Sequence, residues 1–254
     1  MNFKGKTAWV TGAAQGVGLC IAQLLHKQGA QVVALDQAFC GKRGEAFALD
    51  YGFVTYALDI SDAKAVARCC EELLPTYEPD VLINAAGILR LGETLQISIE
   101  DWQACFDVNV SGVFYLMQQL MPVFKRKRSG NIVNIASNAG HVPRKGMLAY
   151  SASKAALISL SHNLALELAP FNVRCNCVSP GSTDTPMLQA MLKDKAAYAS
   201  TILGQADRFK LGIPLNKIAQ VEEVANSALF LASDLASHIT MQDLVVDGGA
   251  TLGA

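Results

Sequence analysis

The sequence predicts an α/β fold: one doubly wound parallel sheet with helices on both faces, in a single domain spanning 1–254. Three observations carry it. Runs such as Gln31-Val-Val-Ala-Leu35 and Asp80-Val-Leu-Ile-Asn84 are near-continuously apolar, as strands buried on both faces must be. Amphipathic stretches of helical length separate them. The two kinds alternate with little linker, and right-handed crossovers then wind successive strands into one sheet.

Taken in order, Thr7–Thr11 reads as the first strand, 15–28 as a helix stopped by Gly29, and 31–35 as a second strand ending at Asp36. A strand near 53–58, a helix over 62–74 and a fourth strand over 80–84 follow. A helix from about 102 to 128 leads to an apolar strand ending at Ser137, and a helix over 149–168 carries Tyr150. Strand 173–178, helix 221–233 and strand 244–247 complete the rhythm. The stretch 182–214 has weaker periodicity and follows a strand end, so it is a candidate lid over a ligand site.

Composition narrows the function classes. The 254 residues are 51% hydrophobic and 17% charged, with a net charge of -1, so no basic field invites nucleic acid or a membrane surface. Lys125-Arg-Lys-Arg128 reads as the solvated end of a helix, where cations also suit the dipole. No apolar run reaches the roughly 18 residues a membrane helix needs, and no signal-type segment is evident. A soluble, cytoplasmic protein is expected. Seven cysteines without metal-ligand spacing read as small buried hydrophobes, with Cys175 and Cys177 on one face of a strand; no metal is expected.

Gly12, Gly16 and Gly18 fall between the first strand and the first helix. Glycines there permit a tight turn, let the backbone approach a pyrophosphate and present amides at a positive helix N-terminus, the context of a Rossmann-type dinucleotide site. Gln15 and Val17 belong to the same cradle. Asp36 ends the second strand, where a carboxylate accepts from both ribose hydroxyls and repels a 2′-phosphate. Gln15 and Gln37 leave no Arg or Lys beside it, which favours NAD over NADP. Asp59, with Ile60, is placed to meet the adenine, or else serves as a helix cap with Ser61 or Asp62. Asn84, Ala85, Ala86 and Gly87 let the backbone pass close to a ribose.

Tyr150 and Lys154 are four residues apart, so on a helix they share one face. The ammonium, joined by an oxidised nicotinamide, is expected to lower the phenol toward working pH and make Tyr150 a general base. Ser137, at a strand end, can both donate to and accept from a substrate oxygen.

Together Thr11-Gly-Ala-Ala-Gln-Gly-Val-Gly18, Asn84-Ala-Ala-Gly87, Asn109, Ser137, Tyr150, Lys154 and Pro180-Gly181 resemble the short-chain dehydrogenase/reductase superfamily across the whole chain. The resemblance implies that Asn109 holds Lys154 through a water in a proton relay. It also implies that Pro180, Gly181, Thr183 and Thr185 meet the nicotinamide end. Asp36-Gln-Ala-Phe39, Ile88-Leu-Arg90, Pro143-Arg-Lys-Gly-Met147 and Phe209-Lys-Leu-Gly-Ile-Pro-Leu215 look like a narrower branch, from catechol siderophore biosynthesis. That branch oxidises a ring alcohol of a cyclohexadiene carboxylate with NAD. Many superfamily members carry Gly where this chain has Met241, and this branch does not. The resemblance further implies a homotetramer and contact with the next enzyme of the pathway.

A carboxylate substrate calls for a cation, preferably a planar fork. Arg144 is preferred, because its loop joins Ser137 to Tyr150; Arg90 and Lys145 are the alternatives. Met147 and Met187 serve either as an apolar wall for the ring or as core and lid packing. The rival readings are another NAD-linked alcohol dehydrogenase, a 3-oxoacyl thioester reductase, which would normally prefer NADPH, and a non-catalytic scaffold, which would typically lose Tyr or Lys. Asp36→Ala should weaken NAD binding and narrow the preference for NAD over NADP; an unchanged ratio of the two dissociation constants would remove Asp36 from the cofactor.

Overall fold

In the computed structural model, which describes residues 1–192 and 194–253, the first strand lies inside a seven-stranded sheet and sets the register of its neighbours. In chain order the elements begin β1 (Thr7–Thr11), α1 (Gly16–Lys27), β2 (Gln31–Asp36), α2 (Lys42–Tyr51), β3 (Val54–Ala57), α3 (Ala63–Leu73) and β4 (Val81–Asn84). Then come α4 (Ile99–Phe106), α5 (Gly112–Lys127), β5 (Gly130–Ile135), α6 (Leu148–Leu168) and β6 (Val173–Pro180). The rest are α7 (Pro186–Met191), α8 (Lys195–Leu203), the short strands β7 (Gly204–Gln205) and β8 (Lys210–Leu211), α9 (Val221–Ala232) and β9 (Asp243–Val246). The large sheet runs β3-β2-β1-β4-β5-β6-β9 and is parallel throughout.

Alternate strand positions go to opposite faces, so a sheet covered on both sides needs apolar residues at every position. Val10, Val32, Ala34, Ile83 and Val133 pack with α1 and α9 on one face. Trp9, Val33, Leu35, Leu82 and Ile132 pack with α3, α5 and α6 on the other. Trp9 is fully buried and still satisfies its indole, which donates to the Tyr77 carbonyl at 2.7 Å. Cys175 and Cys177 share the second face, as their spacing predicts. Six of the seven cysteines are buried and Cys40 is exposed. Burial pushes the Cys20 thiol up to about 11 and those of Cys70 and Cys177 to about 12, which makes them poor nucleophiles. No described helix is long and apolar enough to cross a membrane.

α2 lies where no helix was expected: only Gly44 is fully buried on it, and its apolar contact is confined to the half-buried pair Phe47 and Tyr51 beside Phe39 and Phe53. The helix expected over 102–128 starts earlier, because the Ser98 hydroxyl accepts from the Asp101 amide at 3.0 Å and caps α4. A π-helical turn, Asp107–Ser111, divides it. The stretch 182–214 holds α7, α8 and the β7–β8 hairpin; its periodicity is weak because these pieces are short and mostly exposed, and its Lys193 lies outside the described residues, as does Ala254. Met241 sits in the left-handed region at φ 59°, which gives a backbone reason for glycine at this position in other members.

The start of α1 is tightly built. A Cβ on Gly18 would fall 2.2 Å from the Gly12 carbonyl oxygen, a backbone atom that cannot step aside. Gly18→Ala should therefore cost about 1–3 kcal/mol of stability, read as a lower urea midpoint; a midpoint equal to the parent's would refute the close approach.

Candidate active site

β1 is flanked by β2 on one side and β4 on the other, and the chain reverses its direction of travel across the sheet at this point. Open α/β sheets bind ligands in the crevice at the carboxyl ends of such strands. A cavity of about 620 Å³ occurs there, running from the glycine turn to the lid stretch.

At one end the cavity is made of backbone. Gly12 adopts φ 66°, and a Cβ on it would lie 2.7 Å from the Ala86 nitrogen, so the turn after β1 runs directly against the loop after β4. Thr11 holds that loop: its hydroxyl accepts from the amides of Ala85 and Ala86, each at 3.1 Å. The sequence reading used Thr11 only as a motif letter, because its role appears only when two distant strands pair. Gln15, at the N-cap of α1, makes no side-chain cap, so amides of the first turn are left to a ligand. Gly16, Val17 and Gly18 line the same wall.

Asp36 also lines it, its two oxygens accepting from Ala14 N at 3.0 Å and Ala38 N at 2.9 Å. Asp59 is exposed on the wall, where it accepts from the amide and hydroxyl of Ser61 at 2.9 and 2.7 Å; the cap of α3 is Asp62 instead. Ile60 is buried beside it. Ala85, Ala86 and Gly87 form wall, but Asn84 does not. Expected beside the cofactor, Asn84 turns its amide into the sheet and donates to Asn134 at 2.7 Å, because strand alternation sends its side chain to the core face.

The other end carries the titratable groups. Tyr150 and Lys154 project from one turn of α6, and the phenol faces the Ser137 hydroxyl at the end of β5, which accepts from the Ala139 amide at 3.1 Å. Lys154 is buried, its ammonium donating to the Ile135 carbonyl at 2.8 Å and lying 5.8 Å from the centre of the Tyr150 ring. Burial lowers Lys154 to about 8. Burial also raises Tyr150, partly offset by Ser137. The expected lowering of the phenol by Lys154 is therefore not realised in the protein alone. Desolvation outweighs an ammonium committed to a backbone carbonyl, and a further positive charge is needed to bring the phenol down.

Asn109 lies in the π-helical turn, fully buried. Its carbonyl accepts from Ile88 N at 2.9 Å, and its amide donates to Ile88 O at 3.0 Å and to Ser153 Oγ at 2.9 Å. A Cβ on Gly87 would meet both Asn109 Oδ1, at 3.3 Å, and Lys154 Nζ, at 3.4 Å. Asn109 and Lys154 thus approach each other behind Gly87, Lys154 as part of the wall and Asn109 out of it. π-Turns recur where a helix must re-aim a functional side chain.

Pro180, Gly181, Thr183 and Thr185 line the cavity beyond β6. The Thr183 hydroxyl donates to Gly181 O at 3.1 Å, and Thr185 caps α7 by accepting from Leu188 N at 3.3 Å. Arg144, Met147 and Met187 face the same end. Arg90 does not: it is turned outward, about half exposed, and paired with Asp101 at 2.9 Å. His141 pairs with Asp243 at 2.8 Å, off the wall. Arg208 and Lys210 also reach the wall, from the β7–β8 hairpin; Lys210 entered the sequence only as a letter of the Phe209–Leu215 motif, and Arg208 beside it carried no signal but its charge. No group of three metal-ligating side chains occurs among the described residues.

The family model described as enoyl-(acyl carrier protein) reductase matches residues 12–251. The chain is 54% identical to the 2,3-dihydro-2,3-dihydroxybenzoate dehydrogenase of Escherichia coli K12, over all of both chains. It is 42% identical to the enzyme of the same name from Bacillus subtilis 168, over 99% of this chain and 98% of the relative. A solved short chain dehydrogenase/reductase family protein superposes with a TM-score of 0.85 at 36% identity, covering 98% of each chain.

The buried lysine makes stability depend on pH. Its folded value of about 8 lies below the ordinary 10.5, so the contribution of burying it neutral is complete above 10.5 and is lost as pH falls through 8. The urea midpoint of the parent relative to Lys154→Met should therefore climb between pH 8 and pH 10, and a flat difference would contradict the burial of the amine.

Proposed function

We propose that this chain, which belongs to the short-chain dehydrogenase/reductase family, oxidises 2,3-dihydro-2,3-dihydroxybenzoate to 2,3-dihydroxybenzoate with NAD, as a step toward a catechol siderophore. One observation carries the reading: a single cavity joins a backbone cradle closed by Asp36 to the paired hydroxyls of Ser137 and Tyr150, and is lined beyond them by the half-buried Arg144.

The cradle fits a dinucleotide because Gly12 and Gly18, packed too closely against backbone to carry a Cβ, line it with main chain beside the uncapped amides of α1. Gly12, Gly16 and Gly18 would hold the pyrophosphate, with Gln15 and Val17 beside them, and Asp36 the adenine ribose. Asp59 and Ile60 would border the adenine, Ala85 to Gly87 the ribose, and Thr183 and Thr185 the carboxamide. When bound, the nicotinamide accepts a hydride from the ring alcohol carbon and adds a positive charge to the site.

The chain's own groups supply the rest. Ser137 holds the reacting oxygen against Tyr150, fixing the geometry that makes transfer unimolecular. Tyr150 takes the hydroxyl proton once added positive charge offsets the burial that raises its phenol. Lys154 lies beneath the Tyr150 ring and would continue the path for that proton through a water that also engages Asn109. Arg144 meets the carboxylate, Met147 and Met187 border the ring, and the stretch 182–214 serves as a lid that excludes water. The enone first formed tautomerises to an aromatic catechol, which draws the reaction toward oxidation.

We further propose a homotetramer, supported by the apolar groove between α5 and α6 that Phe114, Met121, Leu160 and Leu164 line. Light scattering at micromolar concentration checks it, and a monomer would contradict it. For the activity, NADH absorbance should rise with NAD and the dihydrodiol acid, whereas an oxoacyl thioester should draw down neither NADH nor NADPH. Tyr150→Phe should lower kcat by about 10²–10⁴-fold. Absence of NADH from the parent with the dihydrodiol acid would overturn the reading.

A further inference from the structure

Four cations converge on the cavity end that follows Tyr150. Arg144 and Lys145 come from the loop before α6; Arg208 and Lys210 come from the β7–β8 hairpin. Two of the four are already engaged. Lys145 lies 3.4 Å from Glu93, and Arg208 donates to the Lys145 carbonyl at 2.8 Å, fastening the hairpin to the opposite loop. Arg144 and Lys210 have no carboxylate partner among the described residues. Asp247, the anion whose field reaches Arg144, is occupied by Asn138, Thr251 and the Gly249 amide.

Half-buried like charges without an anion between them are costly. Burial pushes the Lys210 ammonium down, and the guanidiniums of Arg144 and Arg208 push it further. Burial likewise lowers Arg144. A carboxylate that entered between these two groups would relieve both, and no neutral ligand could. The phosphates of a dinucleotide have their own donors at the far end, in the amides that begin α1.

We propose that Arg144 and Lys210 together hold the substrate's carboxylate, one from each side of the cavity, and so select ring acids over their neutral analogues. Arg208 is a positioning residue: by tying the hairpin to the Lys145 carbonyl it brings Lys210 to the anion. This rests on the reading of the substrate given above.

The test compares the parent with Lys210→Ala, Lys210→Arg and Arg208→Ala, on the dihydrodiol acid and its carboxamide. Lys210→Ala should cut the preference for acid over carboxamide about tenfold, chiefly through KM. Lys210→Arg should keep most of that preference, and Arg208→Ala should lose part of it with the same KM-dominated pattern. A preference unchanged in Lys210→Ala overturns the proposal. An equal weakening of NAD affinity also overturns it, because the cations would then serve the pyrophosphate. If the parent oxidises neither compound, the substrate reading fails, and calorimetry with 2,3-dihydroxybenzoate on the NAD-loaded protein judges the clamp. Affinity falling about tenfold in Lys210→Ala would sustain an aromatic-acid site, whereas no binding to the parent would end it.

Discussion

The contact between the turn after β1 and the loop after β4 is the constraint from which the site follows. Gly12 can lie against Ala86 only without a side chain, and the Thr11 hydroxyl fixes the approach by accepting from Ala85 and Ala86. The approach brings a helix N-terminus with uncapped amides beside Gly87, behind which Asn109 and Lys154 meet. The glycine turn and the Asn109–Lys154 pair therefore share one loop. A displacement at Gly12 would disturb both ends of the cavity together, which is the geometric sensitivity that hydride transfer requires.

Electrostatics divides the same cavity into unlike parts. At the Tyr150 end, burial penalises charge on the phenol and the ammonium alike, raising the first and lowering the second to about 8. An incoming positive charge would act on the tyrosine in the opposite direction, favouring the phenolate. Beyond it, half-buried cations carry the opposite requirement, a negative ligand. A ring bearing both an alcohol and a carboxylate meets the two requirements at once.

The fold was legible wherever burial writes a period into the chain. Every strand of the large sheet was readable, since a two-sided core demands continuous apolar runs. α2 escaped because only Gly44 is fully buried on it, and the pieces of 182–214 because they are short and exposed. At the site, Gly12, Asp36, Ser137, Tyr150 and Lys154 could be read from local position, at strand ends or within one helical turn, and all line one cavity. Asn84 was misplaced because its motif fixes where the backbone passes and says nothing about which face takes the side chain.

The sequence by itself determined the strand and helix order, the glycine cradle and the pairing of a phenol with an amine, because each depends on neighbours within a few residues. The tertiary structure decided which cations are available. Arg90 and Arg144 look alike in sequence, but Asp101 neutralises the first while the second reaches the cavity. Lys210, some sixty positions from Tyr150 in the chain, reaches the same cavity through a hairpin that Arg208 ties down. The tertiary structure also decided the direction in which Tyr150 is shifted, because desolvation depends on everything packed around a group, and that packing comes from segments far apart along the chain.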